Sequence, residues 1–216
     1  IVGKTVIGNN TKIWPFTSIG HQPQDLKYNG EPNELIIGSD NKIRESVSIN
    51  PGTKGGGGVT KIGNECLFML GSHIGHDCKL GNKIILANNA SLAGHVILED
   101  RVYIGGLSGV HQFVRIGEGA FIGALSMVTK DVIPFGLSIG NRNYLQGLNL
   151  IGLRRKKYEN QKIMGLDKAY KEIFASKNLH ENLSKINGEH KDNELVNEVI
   201  TFIEKDKKRP ICLPIN

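Results

Sequence analysis

From Ile62 to Ile133 an apolar residue recurs at every sixth position without a break, through twelve consecutive blocks. The block openers are Ile62, Phe68, Ile74, Leu80, Leu86, Leu92, Leu98, Ile104, Val110, Ile116, Ile122 and Val128, and most are followed by Gly, Ala or another small residue. The fifth places, from Cys66 and Ser72 to Ser126 and Val132, are small or β-branched in nearly every block. A fixed period means one structural unit repeated. Six residues are too few for a helical pair or a propeller blade, but they suit one short strand and a corner. Three blocks then close a triangular coil, and the pattern predicts a parallel β-helix with openers and fifth residues pointing inward.

The same frame runs upstream through Ile1, Ile7, Ile13 and Ile19, stops, resumes at Ile37, Ile43 and Ile49, and stops again before Ile62. The two gaps read as loops thrown out of the coil, a polar one at about 21–35 and a glycine-rich one, PGTKGGGG, at 51–58. Long loops on a rigid stack are where binding groups tend to sit. The glycine run is expected to be a flexible corner loop; it is no phosphate loop, because no GK[ST] follows. The chain opens inside a repeat, without Met or a capping segment, so further N-terminal coils are expected to precede it in a longer protein.

Of the 27 glycines, 24 lie before residue 151, which marks a change of architecture. Beyond it the spacing turns helical. Ile163, Leu166, Tyr170 and Ile173 share one helical face, Leu179, Leu183 and Ile186 a second, and Leu195, Val199, Phe202 and Ile203 a third. The expected organisation is a β-helix over 1–138 and a small α-helical domain of about three helices over 139–216. Cys66 and Cys78 take inward places as core filler, whereas Cys212 is expected as a free thiol in the tail. Three cysteines without a framework, no signal peptide and no apolar run approaching a membrane span place the chain in the cytoplasm.

Charge adds one feature. The net +6 is uneven, for residues 151–216 hold 14 Lys and Arg against 10 Asp and Glu. The run Arg154, Arg155, Lys156, Lys157 is either a solvated helix end, a phosphate clamp or a dock for an acidic protein. Nucleic acid is disfavoured, since only Tyr158 interleaves this charge.

Chemistry is concentrated in the histidines. His73, His76, His95 and His111 avoid the inward places and fall in a narrow band of the coil, so they are expected to climb one edge of the prism and line a groove. Imidazole takes and returns a proton near neutrality, and Asp77, next to His76, is placed to fix its tautomer. The bland alternatives are solvated histidines and an ordinary polar corner. Ser72 and Ser91 hold ladder positions and are expected to pack or cap corners rather than act as nucleophiles.

Several segments then resemble a known family. The ladder, QDLKYNGEP (24–32), IRESV (43–47), HIGHDC (73–78), ILANNASLAGHV (85–96), VHQF (110–113) and GLRRK (152–156) are similar to those of UDP-N-acetylglucosamine O-acyltransferases, which start lipid A synthesis. The ladder alone is shared by many acyltransferases, but QDLKYNGEP together with HIGHDC and VHQF is specific. The resemblance covers all but about the last thirty residues.

The resemblance implies a homotrimer of left-handed β-helices with active sites between subunits. It implies transfer of a 3-hydroxyacyl chain from acyl carrier protein to the 3-hydroxyl of UDP-GlcNAc, with no metal and no cofactor beyond the carrier-bound thioester. His76 matches the general base, Asp77 its carboxylate partner, and Gly94 the residue whose N–H stabilises the oxyanion. Asp25 and Lys27 match residues that grip the sugar nucleotide; His73, His95, His111 and Gln112 line the groove; Asn149 and Arg155 contact the nucleotide. Phe121 and Ala124 match the chain-length ruler, or else simply pack. Ile151 stands where some relatives carry a carboxylate, which weakens the nucleotide assignment there. Two alternatives remain: the glucosamine N-acyltransferase of the same pathway, which lacks the QDLKY loop, and a γ-class carbonic anhydrase, a trimeric β-helix with three histidines on zinc.

Overall fold

The computed structural model describes residues 1–176, 178–186, 190, 192–206 and 209–215. Its main body is a left-handed parallel β-helix of triangular section. One side stacks Thr5–Ile7, Glu34–Ile37, Val59–Ile62, Lys79–Leu80, Ile97–Leu98 and Arg115–Ile116. The second stacks Lys12–Ile13, Lys42–Ile43, Leu67–Phe68, Ile85–Leu86, Tyr103–Ile104 and Phe121–Ile122. It then continues into Gly136–Ile139 and the antiparallel strand Tyr144–Leu148. The third, which carries the site, stacks Ser18–Ile19, Ser48–Ile49, His73–Ile74, Ser91–Leu92, Gly109–Val110 and Met127–Val128.

Parallel neighbours need a crossover of a dozen or more residues. Here the other two sides of each coil supply it, so strands pair with the coil above and below: His73 faces Ser91, Ser91 faces Gly109, and Gly109 faces Met127. All twelve openers and all twelve fifth residues of the unbroken ladder are buried. Phe68, Leu86, Ile104 and Ile122 stack directly over one another, each fully buried. Burying one such side chain stabilises by roughly 1.5–3 kcal/mol, which makes the hexapeptide rule an energetic one.

Corners are tight enough to require left-handed backbone at non-glycine residues. Asp77, His95 and Phe113, each one coil apart, have φ of 60°, 63° and 66°. That conformation is uncommon for residues bearing a Cβ. Bonds between coils hold it: the His95 N–H donates to the His76 carbonyl at 2.9 Å, and the Phe113 N–H to that of Gly94 at 3.2 Å.

Four helices follow among the described residues: α1 (Leu150–Arg155), α2 (Asn160–Ile173), α3 (Leu179–Lys185) and α4 (Glu194–Lys205). The last three are those the spacing predicts. The first, unpredicted, is too short to show a period; the Asn149 side chain caps it by accepting from the Gly152 N–H at 3.0 Å. Strand Gly136–Ile139 runs across the expected boundary at 138/139, and helix begins only at Leu150. Arg115, on the last coil, pairs with buried Asp131 at 2.7 Å and lies over the Phe202 ring of α4, fastening the helices to the prism. Cys212 is a free thiol, as expected, but it is fully buried: its N–H donates to the Asp131 carbonyl at 2.7 Å, and burial pushes the thiol up to about 11. No helix among the described residues is long and apolar enough to cross a membrane.

Candidate active site

Three successive corners build the site: Gly75–Cys78, Ala93–Val96 and His111–Val114. His76 and Asp77 are both buried, and Nδ1 of His76 lies 2.8 Å from Oδ2 of Asp77. A carboxylate only accepts, so the shared proton sits on Nδ1 and the lone pair of the neutral ring lies at Nε2. Asp77 is held in turn. Its Oδ1 accepts from the Thr53 N–H at 2.8 Å, its Oδ2 from the Thr53 hydroxyl at 2.6 Å, and its own N–H donates to Thr60 Oγ1 at 2.8 Å. The glycine-rich segment is therefore not the free corner expected from its composition. It forms a short turn, Lys54–Gly56, packed against Asp77.

Gly94 lies against the opposite edge of the imidazole: a Cβ placed there would stand 2.5 Å from both Cε1 and Nε2 of His76. Only glycine lets this backbone approach the ring so closely. One position along, His95 presents its ring edge-on to that of His76, 5.0 Å between centroids, and stacks on Phe113 at 4.3 Å. His95 Nε2 is 3.8 Å from Asp77 Oδ2. His73, on the third side, bonds through Nδ1 to Ser48 Oγ at 2.7 Å. Burial, and then the neighbouring His76, hold the His73 imidazole below its usual range. His95 is lowered too, chiefly by burial and against the pull of Asp77.

The histidine edge lines two cavities. The first, of about 420 Å³, is lined by His73, His76, Gly94, His111 and Gln112, with Gln24 and Asn50 on one flank and Leu92, Val110 and Met127 on the other. The second, of about 670 Å³, holds Asp25 and Lys27 with Asn29, Glu31, Thr53 and Lys54, and shares His95 and Phe113 with the histidine edge. Buried Asn50 donates to the carbonyls of His21 and Gln22, which fastens the polar loop beside the first cavity.

The predicted residues divide into two groups. His73, His76, Asp77, Gly94, His95, His111, Gln112, Asp25 and Lys27 come together around the two cavities of this chain. Asn149, Arg155, Phe121 and Ala124 do not. Asn149 is occupied capping α1 and donating to the Gly119 carbonyl at 3.0 Å, and Arg155 is an exposed residue of that helix's last turn. Phe121 stacks on Tyr103 at 4.7 Å on the second side, and Ala124 is an exposed corner residue. The apolar end of the first cavity is instead formed by Met127 above Gly109.

Sequence reasoning missed Thr53, Thr60, Gly56, Ser48, Asn50 and Met127. Phe113 was recoverable, since one coil added to Asp77 gives His95 and a second gives Phe113. The Thr53 contact spans 24 positions and leaves no periodic trace.

One metal-capable group occurs among the described residues, His76 with Asp77 and His95, whose ligand atoms lie within 4.8 Å of one another. Thr53 and His76 already donate to the Asp77 oxygens at 2.6–2.8 Å, so a metal there would compete with hydrogen bonds already made. The donor set fits a hydrogen-bonded acid–base pair better than a three-histidine zinc site.

Comparison with known proteins identifies the family. Residues 131–212 match the family model described as UDP N-acetylglucosamine O-acyltransferase, domain 2. The acyl-[acyl-carrier-protein]–UDP-N-acetylglucosamine O-acyltransferase of Paracoccus denitrificans (strain Pd 1222) is 51% identical over 202 residues, 94% of this chain and 77% of the relative. That of Sinorhizobium fredii (strain NBRC 101917 / NGR234) is 43% identical over 215 residues, 99% of this chain and 80% of the relative. The crystal structure of UDP-N-acetylglucosamine O-acyltransferase from Moraxella catarrhalis RH4 superimposes with a TM-score of 0.91 at 40% identity, covering 96% of this chain and 81% of that one. At 51% identity over 94% of its length to one relative, 43% over 99% to another, and with the same fold at a TM-score of 0.91, the chain belongs to the acyl-[acyl-carrier-protein]–UDP-N-acetylglucosamine O-acyltransferase family.

Proposed function

We propose that this protein is an acyltransferase that moves a 3-hydroxyacyl chain from acyl carrier protein to the 3-hydroxyl of UDP-N-acetylglucosamine, the first step of lipid A biosynthesis, in the cytoplasm. The observation that carries the reading is the His76–Asp77 pair at 2.8 Å, walled by Gly94, in a family member. His76 Nε2 takes the proton of the sugar hydroxyl as its oxygen attacks the thioester carbonyl. Asp77 keeps the Nδ1 proton in place and stabilises the imidazolium that forms. The tetrahedral oxyanion is met by the Gly94 backbone N–H, and collapse expels the carrier thiolate, which takes the proton back from His76. No cofactor enters the scheme.

Asp25 and Lys27 grip the sugar nucleotide in the larger cavity, while His73, His95, His111 and Gln112 line the path between sugar and thioester. The acyl chain runs along the third side toward Met127; Phe121 and Ala124 act on its length only from a neighbouring subunit. Asn149 and Arg155 reach the nucleotide in the same way, so the site is read as completed between the subunits of a homotrimer. In support, Leu107 and Leu125, one coil apart on the corner between the second and third sides, are 63% and 70% exposed. The division into a β-helix over 1–138 and a C-terminal domain over 139–216 belongs to this reading, although the matched second domain of the family model opens earlier, at 131.

The test is turnover of UDP-GlcNAc with a panel of 3-hydroxyacyl carrier proteins by the parent and by His76→Ala. Loss of a general base lowers kcat about 10²- to 10⁴-fold while the assembly stays folded. Near-parental turnover by His76→Ala would sink the assignment. Metal analysis of the active preparation separates it from the zinc reading.

A further inference from the structure

We infer that Thr53, at the head of the glycine-rich loop, is a positioning residue for acyl transfer: it fixes the Asp77 carboxylate and, through it, the proton on His76 Nδ1. The inference rests on the reading of His76 as the base. Thr53 never touches the reacting atoms.

Asp77 is 3% exposed and cannot draw on water to orient it. The three donors to its carboxylate are the Thr53 N–H at 2.8 Å, the Thr53 hydroxyl at 2.6 Å and His76 Nδ1 at 2.8 Å. Thr53 thus supplies two of the three, one to each oxygen, and this two-point grip sets the carboxylate plane. A rival donor stands close by: His95 Nε2 is 3.8 Å from the same Oδ2 that serves His76. Without the Thr53 hydroxyl, a small rotation of the carboxylate brings that oxygen to His95 and weakens its hold on His76. A wrongly seated or wrongly tautomerised base keeps its substrates but loses rate.

The loop is built to hold Thr53 rigidly. The Thr53 carbonyl accepts from the N–H groups of Gly56 at 3.0 Å and Gly58 at 2.7 Å, closing the segment on itself. Gly57 and Gly58, at φ of 94° and 82°, make the turn that this closure needs. The Lys54 N–H donates to Glu31 Oε1 at 3.3 Å, tying the segment to the loop that carries Asp25 and Lys27. Gly56 is required for a separate reason: a Cβ there would overlap the Asp77 carboxylate. The glycine run is thereby accounted for by close approach to a catalytic carboxylate, a role its composition does not announce.

The experiment compares Thr53→Ser, Thr53→Val and Gly56→Ala in the full chain, recording kcat, both KM values and the pH profile of kcat, with His76→Ala in parallel. A hydrogen bond to a charged group is worth enough to lower kcat about 10- to 100-fold in Thr53→Val. Both KM values stay within about twofold, and Thr53→Ser stays within about threefold of the parent in kcat. The acid limb of the Thr53→Val profile moves to lower pH: a carboxylate that has swung toward His95 stabilises the His76 imidazolium less. Gly56→Ala, which keeps the hydroxyl but crowds the carboxylate, lowers kcat and displaces the same limb. Parental kcat and limb in Thr53→Val overturn the inference, as does a rate loss with an unmoved limb or an equal loss in Thr53→Ser. If Thr53→Val does not assemble, Gly56→Ala decides by the same readings. Turnover surviving in His76→Ala marks failure of the functional reading itself.

Discussion

Adding one methyl group at Gly94 tests the chemistry where the geometry is tightest. An alanine Cβ would stand 2.5 Å from Cε1 and Nε2 of His76 and 3.0 Å from Nδ1, so ring or backbone must yield by about 1 Å to reach ordinary contact. The ring cannot retreat freely, because Nδ1 is held at 2.8 Å by a carboxylate that Thr53 holds in turn. Nor can the backbone, since the Gly94 carbonyl accepts from the Phe113 N–H and a His76–His95 bond pins the next residue. A misplacement of about 1 Å in a reacting constellation costs on the order of 10²-fold in rate, or about 2.7 kcal/mol of barrier. Overpacking adds about 1–3 kcal/mol of destabilisation, visible as a lower melting temperature. Gly94→Ala is therefore expected to lose about 10²-fold in kcat with smaller changes in KM, measured by steady-state transfer to UDP-GlcNAc. Gly106→Ala, where the nearest atom to an added Cβ is 3.3 Å away, controls for a methyl on a coil corner and stays within about threefold. A Gly94→Ala enzyme with parental kcat would show that His76 does not act from the position described.

Arg155→Ala is expected to raise KM for UDP-GlcNAc, and removal of the Lys156 and Lys157 charges to raise KM for the acidic carrier with a weaker salt dependence than the parent; identical kinetics in all three leave the run as a solvated helix end. Met127→Ala opens the end of the first cavity by about three heavy atoms, each worth roughly 0.8 kcal/mol or about fourfold, and shifts kcat/KM toward longer acyl donors. Ala124→Met shifts preference toward shorter donors only if a neighbouring subunit brings that corner to the chain, and an unchanged profile in both variants places the stop elsewhere. On α4, burial and the nearby Glu99 carboxylate push Glu198 up to about 7. A carboxyl whose folded value is raised binds its proton more tightly when folded, so its ionisation weakens the fold as pH rises between about 4.5 and 7. Discounted for partial solvent exposure, Glu198→Gln raises stability at pH 8 by about 1–2 kcal/mol and changes little at pH 4, as thermal melts at the two pH values report.

The coil was legible in the sequence because its cause is local and periodic. Each opener and fifth residue must leave water, and the same two places recur every six residues, so Ile62 to Val132 could be assigned to the interior one by one. The histidine edge was legible for the same reason: one coil from Asp77 is His95, and the next is Phe113. The chemistry of the HIGHDC corner was legible because His and Asp are adjacent in the chain. What the sequence left open depends on contacts that no period carries. Thr53 reaches Asp77 across 24 residues from a loop outside the repeat, so its grip exists only once the coil has stacked. Gly94 reads as one glycine among 27 until the imidazole edge lies against it. Helix α1 is too short to show an amphipathic period, and Phe121 and Met127, both outward ladder residues, differ only in which side of the triangle they leave. Periodicity fixes which residues face the core, because burial depends on spacing along the chain. Three-dimensional stacking decides which outward residues meet, because their partners come from other coils and other loops.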